Sequence, residues 1–112
     1  MVRCRLLAIA LATVALGAPA RAEVVESSPL GFGVRNDAVI NAAPGVVYAA
    51  LTEAIGRWWD PAHTFSHDAR NLSLDAKPGG CLCERLPGGG GVEHLRVIYA
   101  SPGKLLRLTG GV

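Results

Sequence analysis

The chain has 112 residues with eleven Lys+Arg against nine Asp+Glu, a length that allows one small domain with a core and leaves little room for two. Arg3, Arg5 and Arg21 all precede Glu23, so residues 23–112 carry eight basic side chains against nine acidic ones, and the +2 of the whole chain becomes about −1 there. Those charges are dispersed with alternating sign, as in Glu84-Arg85 and Glu93 to Arg96, which excludes the clustered basic face of a nucleic-acid binder.

The N-terminus reads as a secretory signal. Arg3 and Arg5 form a basic start, Leu6 to Leu16 is an unbroken apolar run, and Ala20-Arg21-Ala22 offers small residues at both positions of an A-x-A cleavage site. Residues 1–22 are therefore predicted to be a signal peptide, and the product is expected to be exported, to a periplasm or beyond the cell. A spanning helix needs about 20 apolar residues, whereas this run is stopped by Gly17 and Pro19, so no stable membrane anchor is expected. Cys4 lies far upstream of the cleavage point, which leaves no lipid attachment site there. Residues 23–31 (EVVESSPLG) read as a polar, loosely attached lead-in.

From residue 32 the chain reads as one domain. Phe32, Val34, Asn36, Ala38 and Ile40 alternate with their neighbours, which predicts a half-buried strand over 32–40. Pro44 then sits where a helix tolerates it, and Val47, Leu51, Ala54 and Ile55 recur at helical spacing. Ala43 offers no capping side chain, so that helix must rely on packing. After Gly56, Arg57-Trp58-Trp59 reads as a second short helix or turn, and residues 60–71 as irregular. The second half reads as antiparallel sheet: Leu72 to Leu74, a turn at Lys77 to Gly80, Cys81 to Leu86, a glycine loop over 87–91, Val92 to Ala100, a turn at Ser101 to Gly103, and Lys104 to Thr109. Placing Leu86 opposite Val92 sets Glu84 opposite His94 and Arg85 opposite Glu93, two complementary cross-strand pairs.

In this order the chain resembles the START-like, or SRPBCC, superfamily, in the branch of polyketide-cyclase-like proteins and homologues of the heat-shock-protein ATPase activator. Pro44, Val47-Tyr48-Ala49-Ala50-Leu51-Thr52, Arg57-Trp58-Trp59, Gly79-Gly80, Gly88 to Gly91 and Tyr99-Ala100-Ser101-Pro102-Gly103-Lys104-Leu105 look like successive motifs of that branch. The resemblance implies an α+β helix-grip fold, an antiparallel curved sheet with two short N-terminal helices. In the family a long C-terminal helix lies in that sheet and closes a ligand cavity. No counterpart follows Thr109, so the resemblance implies an incomplete domain over 32–112, with Leu95, Val97, Leu106 and Leu108 exposed where the helix would lie. The implied function is binding of a small hydrophobic molecule, with Trp58, Trp59, Leu95, Val97 and Tyr99 as cavity candidates. The alternative is a cyclase- or dehydratase-like enzyme using His94, Glu84 or Arg107 as acid–base groups. A chaperone-activator role conflicts with export.

No motif calls for a cofactor or a metal. Cys81 and Cys83 fall on one strand face; a strained bridge or redox pair is open to them, while the apolar neighbours given by the register, Leu95 and Val97, favour small buried hydrophobes. His94 points to the other face, so these three do not make a zinc set. Asp60, His63 and His67 would align only on a helix, which Pro61 opposes. Ser66-His67-Asp68 cannot form a relay from adjacent positions, and the glycine runs lack the frame of a phosphate loop, since Leu105 follows Lys104.

Expressed with residues 1–22 intact, the exported product is expected to begin at Glu23; N-terminal sequencing that finds Met1 on exported protein would contradict the cleavage reading.

Overall fold

The computed structural model describes residues 20–111. The basic start, the apolar run and Cys4 lie outside them. The chain divides into two compact units, with the boundary between Ile40 and Asn41.

The first unit is an antiparallel hairpin of β1 (Arg21–Ser28) and β2 (Gly31–Asp37). Residues 23–31, expected as a loose lead-in, therefore form most of a strand and its turn. Val24 pairs with Val34 and Glu26 with Gly33, so Val25 is an extra residue, a β-bulge. That bulge hid the strand, because Val24 and Val25 break the period-two alternation by which strands are read. At the turn, the Leu30 amide donates to Ser28 Oγ at 3.2 Å. The strand expected over 32–40 ends at Asp37, and Phe32 and Val34 are exposed rather than half-buried.

The second unit is α+β. Helix α1 (Pro44–Glu53) starts on Pro44, and no side chain caps it: Ala43 contributes only its carbonyl, to the amides of Val46 and Val47. Thr52 is its buried residue and Val47, Tyr48 and Ala49 are half-buried, with Ile55 buried just beyond it, while Leu51, expected on the buried face, is exposed. The face turns because the backbone breaks at Ala54 (φ −120°, ψ 26°) and a new short helix, α2 (Ile55–Trp58), begins with its own rotation. Thr52 is buried without penalty because its hydroxyl donates to the Tyr48 carbonyl one turn back, at 2.9 Å. Single turns at Pro61–His63 and Ala69–Asn71 punctuate the segment that follows, capped by Asp60 and Asp68.

A four-stranded antiparallel sheet completes the unit, in the order β3 (Leu72–Leu74), β4 (Cys81–Arg85), β5 (Gly91–Ser101) and β6 (Leu105–Gly110). Its inner face presents Leu72, Leu74, Leu82, Leu95 and Leu108 to Ile55, Ala69 and Trp59, which form the core. Val97 is almost wholly buried, which removes it from the apolar surface expected here, and Leu95, Leu106 and Leu108 are half-buried. Among the described residues two antiparallel sheets and two α-helices are thus established, and both sheets consist of neighbours in sequence.

The register of β4 on β5 differs from expectation. Glu84 faces Val92, Arg85 faces Gly91, and the Leu86 amide donates to the Gly90 carbonyl, so the hairpin closes two residues tighter than assumed. Leu82 faces Leu95 and Cys83 faces Glu93; His94 is the extra residue of a second β-bulge. A bulge lets two consecutive side chains share a face, and here His94 and Leu95 both turn inward. Cys81 and Cys83 accordingly face Arg96 and Glu93, not Leu95 and Val97, and they are joined in a disulfide rather than buried as free thiols.

Gly80 anchors the β3–β4 connection where backbone meets backbone. It is buried, its carbonyl accepts from the Val97 amide, and a Cβ there would lie 2.1 Å from the Asp75 carbonyl oxygen. Gly80→Ala must displace that carbonyl and is expected to destabilise the second unit by about 3 kcal/mol or more in urea melts. Gly79→Ala, where a Cβ meets open space but φ is +86°, should cost only about 1–2 kcal/mol. Equal stabilities for the two variants would refute this account.

Candidate functional site

The inward bulge builds a polar cluster beside an apolar cleft. Glu84 shares the inner face of β4 with Leu82 and is 2 % exposed. A buried carboxylate without partners would be very unfavourable, so its contacts decide whether the strand can sit as it does. Three donors reach it: the Ser66 amide to Oε1 at 2.6 Å, the Phe65 amide to Oε2 at 3.1 Å, and His94 Nε2 to Oε2 at 2.8 Å. Burial pushes the carboxyl up, but the hydrogen bonds from Ser66, His94 and Phe65 together outweigh it and hold the group at about 2, below its ordinary 4.5. Glu84 is therefore ionised at neutral pH. An ionised carboxylate only accepts, so His94 carries its proton on Nε2, and in the neutral ring Nδ1 is left as an acceptor. Among the described residues Nδ1 has no hydrogen-bond partner.

This histidine lines an open-sided cleft of about 510 Å³. Trp59, Phe65, Leu82 and Leu95 supply its apolar walls, and His63, Thr64 and His94 its polar groups. The segment from Asp60 to Ser66 forms one wall. Asp60 caps the turn by accepting from the Ala62 amide, Trp59 Nε1 donates to the His63 carbonyl, and the amides of Phe65 and Ser66 tie the end of the segment to Glu84. Phe65 stands beside the His94 ring, centroids 5.8 Å apart, and is 61 % exposed, which leaves most of its surface free to meet a bound molecule.

Of the residues singled out in the sequence, Trp59 and Leu95 meet in this cleft. Trp58 stacks obliquely on Trp59, but its Nε1 donates to the Ala50 carbonyl and half its surface is exposed outside the cleft. Val97 is buried in the sheet and not in the cleft wall. Tyr99 pairs with Arg107 on the outer face, its ring 5.9 Å below the guanidinium, which removes both from the site. His94 and Glu84 do meet, although by way of the bulge rather than by facing each other in the ladder. Ser66-His67-Asp68 forms no relay: the Ser66 hydroxyl donates to the Asp68 carbonyl, and the Asp68 carboxylate is taken by Arg70.

The chain matches no protein-family model, no curated protein and no solved structure.

The amides of Phe65 and Ser66 and the walls at Thr64 and Leu82 were missed in the sequence. One signal was available: in Cys81-Leu82-Cys83-Glu84, parity places Glu84 on the same side as Leu82, and a carboxylate beside a core leucine demands donors. The irregular segment over residues 60–71 supplies them, through the amides of Phe65 and Ser66.

Because the folded-state pKa of Glu84 is depressed, its contribution to stability is complete above about pH 4.5 and is lost as pH falls through about 2. Glu84→Gln is expected to be less stable than the parent at neutral pH and to lack this acid limb, so the two urea midpoints converge on acidification. Parallel pH profiles would show that the carboxylate does not bear this load.

Proposed function

We infer that the second unit binds a small, mostly apolar molecule in the cleft, with one polar group of that molecule engaging His94 Nδ1. The observation that carries this reading is a half-buried histidine, fixed by an ionised carboxylate, at the edge of an apolar cleft; such a pairing of greasy walls with one oriented polar atom is the usual make-up of a small-molecule site. The reading extends to family and location. The chain is proposed to be a START-like, or SRPBCC, helix-grip domain exported through residues 1–22 to a periplasm or the exterior. Support for the family is the succession of motifs from Pro44 to Leu105, and the position of the cleft against the inner face of a sheet agrees with it.

A second reading has a specific observation behind it. Carboxylate, imidazole Nε2–H and a bare Nδ1 are the parts of an oriented general base, as a cyclase- or dehydratase-like enzyme would use. In that case Glu84 would be a positioning residue and His94 the catalytic one, while Arg107 lies on the other side of the sheet.

Binding is tested by fluorescence titration with 1-anilinonaphthalene-8-sulfonate and a panel of aromatic ketones and fatty acids. Trp59→Ala, which removes a wall, should weaken binding about tenfold. Trp58→Ala should leave it nearly unchanged. Equal effects of the two substitutions, or none, would sink the reading. Mass spectrometry of recovered ligands separates the two functions: unaltered ligand means binding, and loss of water that disappears in His94→Gln means catalysis.

A further inference from the structure

The outer face of β4 and β5 carries a second cluster, independent of the cleft. Cys81 and Cys83 are half-buried, their Cα atoms are 5.4 Å apart, and their disulfide encloses a single intervening residue, Leu82. A disulfide restrains the unfolded chain more as its loop lengthens, so a loop this short contributes least to stability. Its presence on an accessible strand face calls for another role. The bulge at His94 supplies one. In a regular strand Glu93 and Arg96 would point to opposite faces; here both point outward, Glu93 facing Cys83 and Arg96 facing Cys81.

The ligating atoms of Cys81, Cys83 and Glu93 all lie within 4.8 Å of one another. A tetrahedral zinc with bonds of about 2.3 Å to sulfur holds two sulfurs about 3.8 Å apart, a spacing that residues two apart on a strand reach once the sulfurs are no longer bonded. Arg96 steadies the Glu93 carboxylate by donating from Nε and from a terminal guanidinium nitrogen. A carboxylate has about four acceptor sites, so two hydrogen bonds leave room for a metal.

We propose that Cys81, Cys83 and Glu93 form a redox-gated site for a thiophilic cation of the Zn²⁺ type. The disulfide closes the site. A dithiol reductant opens it: the S–S bond breaks, two electrons and two protons pass to the cysteine sulfurs, and the reductant leaves as its own disulfide. The cation then binds two thiolates and one carboxylate oxygen, two protons pass to solvent, and water from the exposed side completes the shell. Soft thiolate donors select Zn²⁺ or Cu⁺ over Mg²⁺ and Ca²⁺.

The test is a Co²⁺ titration of the whole chain in a Cys4→Ser background, followed by Zn²⁺ competition, on the disulfide form and on protein reduced with a phosphine. Reduced protein should show thiolate-to-cobalt charge-transfer absorption saturating at one equivalent and erased by Zn²⁺, and the disulfide form should show none. Cys83→Ser should abolish the bands, and Glu93→Gln, on an exposed residue, should weaken Co²⁺ binding about tenfold or more with unchanged near-ultraviolet circular dichroism. Absence of the bands after reduction, equal bands in both forms, or an unchanged affinity in Glu93→Gln would each overturn the proposal.

Discussion

The second unit depends on keeping one negative charge out of water. Glu84 stands in the inner face of the sheet beside Leu82, and the amides of Phe65 and Ser66 and the ring of His94 make that position tenable. Those three donors come from two places far apart in sequence, an irregular segment and a neighbouring strand. Satisfying the carboxylate therefore does what hydrophobic packing alone would not: it fixes a loop that has few buried side chains of its own against the sheet. The cleft exists because that loop is held at a distance set by hydrogen bonds rather than collapsed onto Leu82 and Leu95.

A single extra residue in β5 makes this geometry. The bulge at His94 turns two consecutive side chains inward, one to the carboxylate and one to the core, and shifts the outward set so that an acid and a base three residues apart meet beside the cysteine pair. Both faces of the β4–β5 pair thus take their chemistry from one irregularity. A strand of strict alternation with the same composition would separate His94 from Leu95 and Glu93 from Arg96, and would leave neither cluster.

Much of the second unit was legible because its punctuation is strong. Pro44, the Lys77–Gly80 turn, the glycine loop after Leu86 and the Pro102–Gly103 turn each sit where the chain must bend, and the segments between them are the observed elements. What alternation cannot show is a residue that breaks it. The bulge at Val25 hid the first strand, and the bulge at His94, with the tighter hairpin closure, moved every pairing between β4 and β5. Helical periodicity failed at Leu51 for a related reason, since the break at Ala54 separates two short helices that the spacing had joined. The disulfide was not legible because the expected register put leucine and valine opposite the cysteines, which argue for buried thiols, whereas the actual neighbours, glutamate and arginine, argue for a solvent-facing pair.

If residues 1–22 are a cleaved signal, as proposed, the hairpin of the first unit bears on their removal. Its open end, away from the turn at Pro29 and Leu30, is the pairing of Arg21 with Asp37 and of Ala22 with Asn36. A peptidase cutting after Ala22 would remove those two rungs and no others, shortening the ribbon from its open end. The new amino terminus at Glu23 would be left facing Arg35, whose guanidinium is already turned toward Asp37 at 2.9 Å. Maturation and folding would then share an edge: the same few residues would be read as an extended segment by the peptidase and as the last rungs of a strand by the protein.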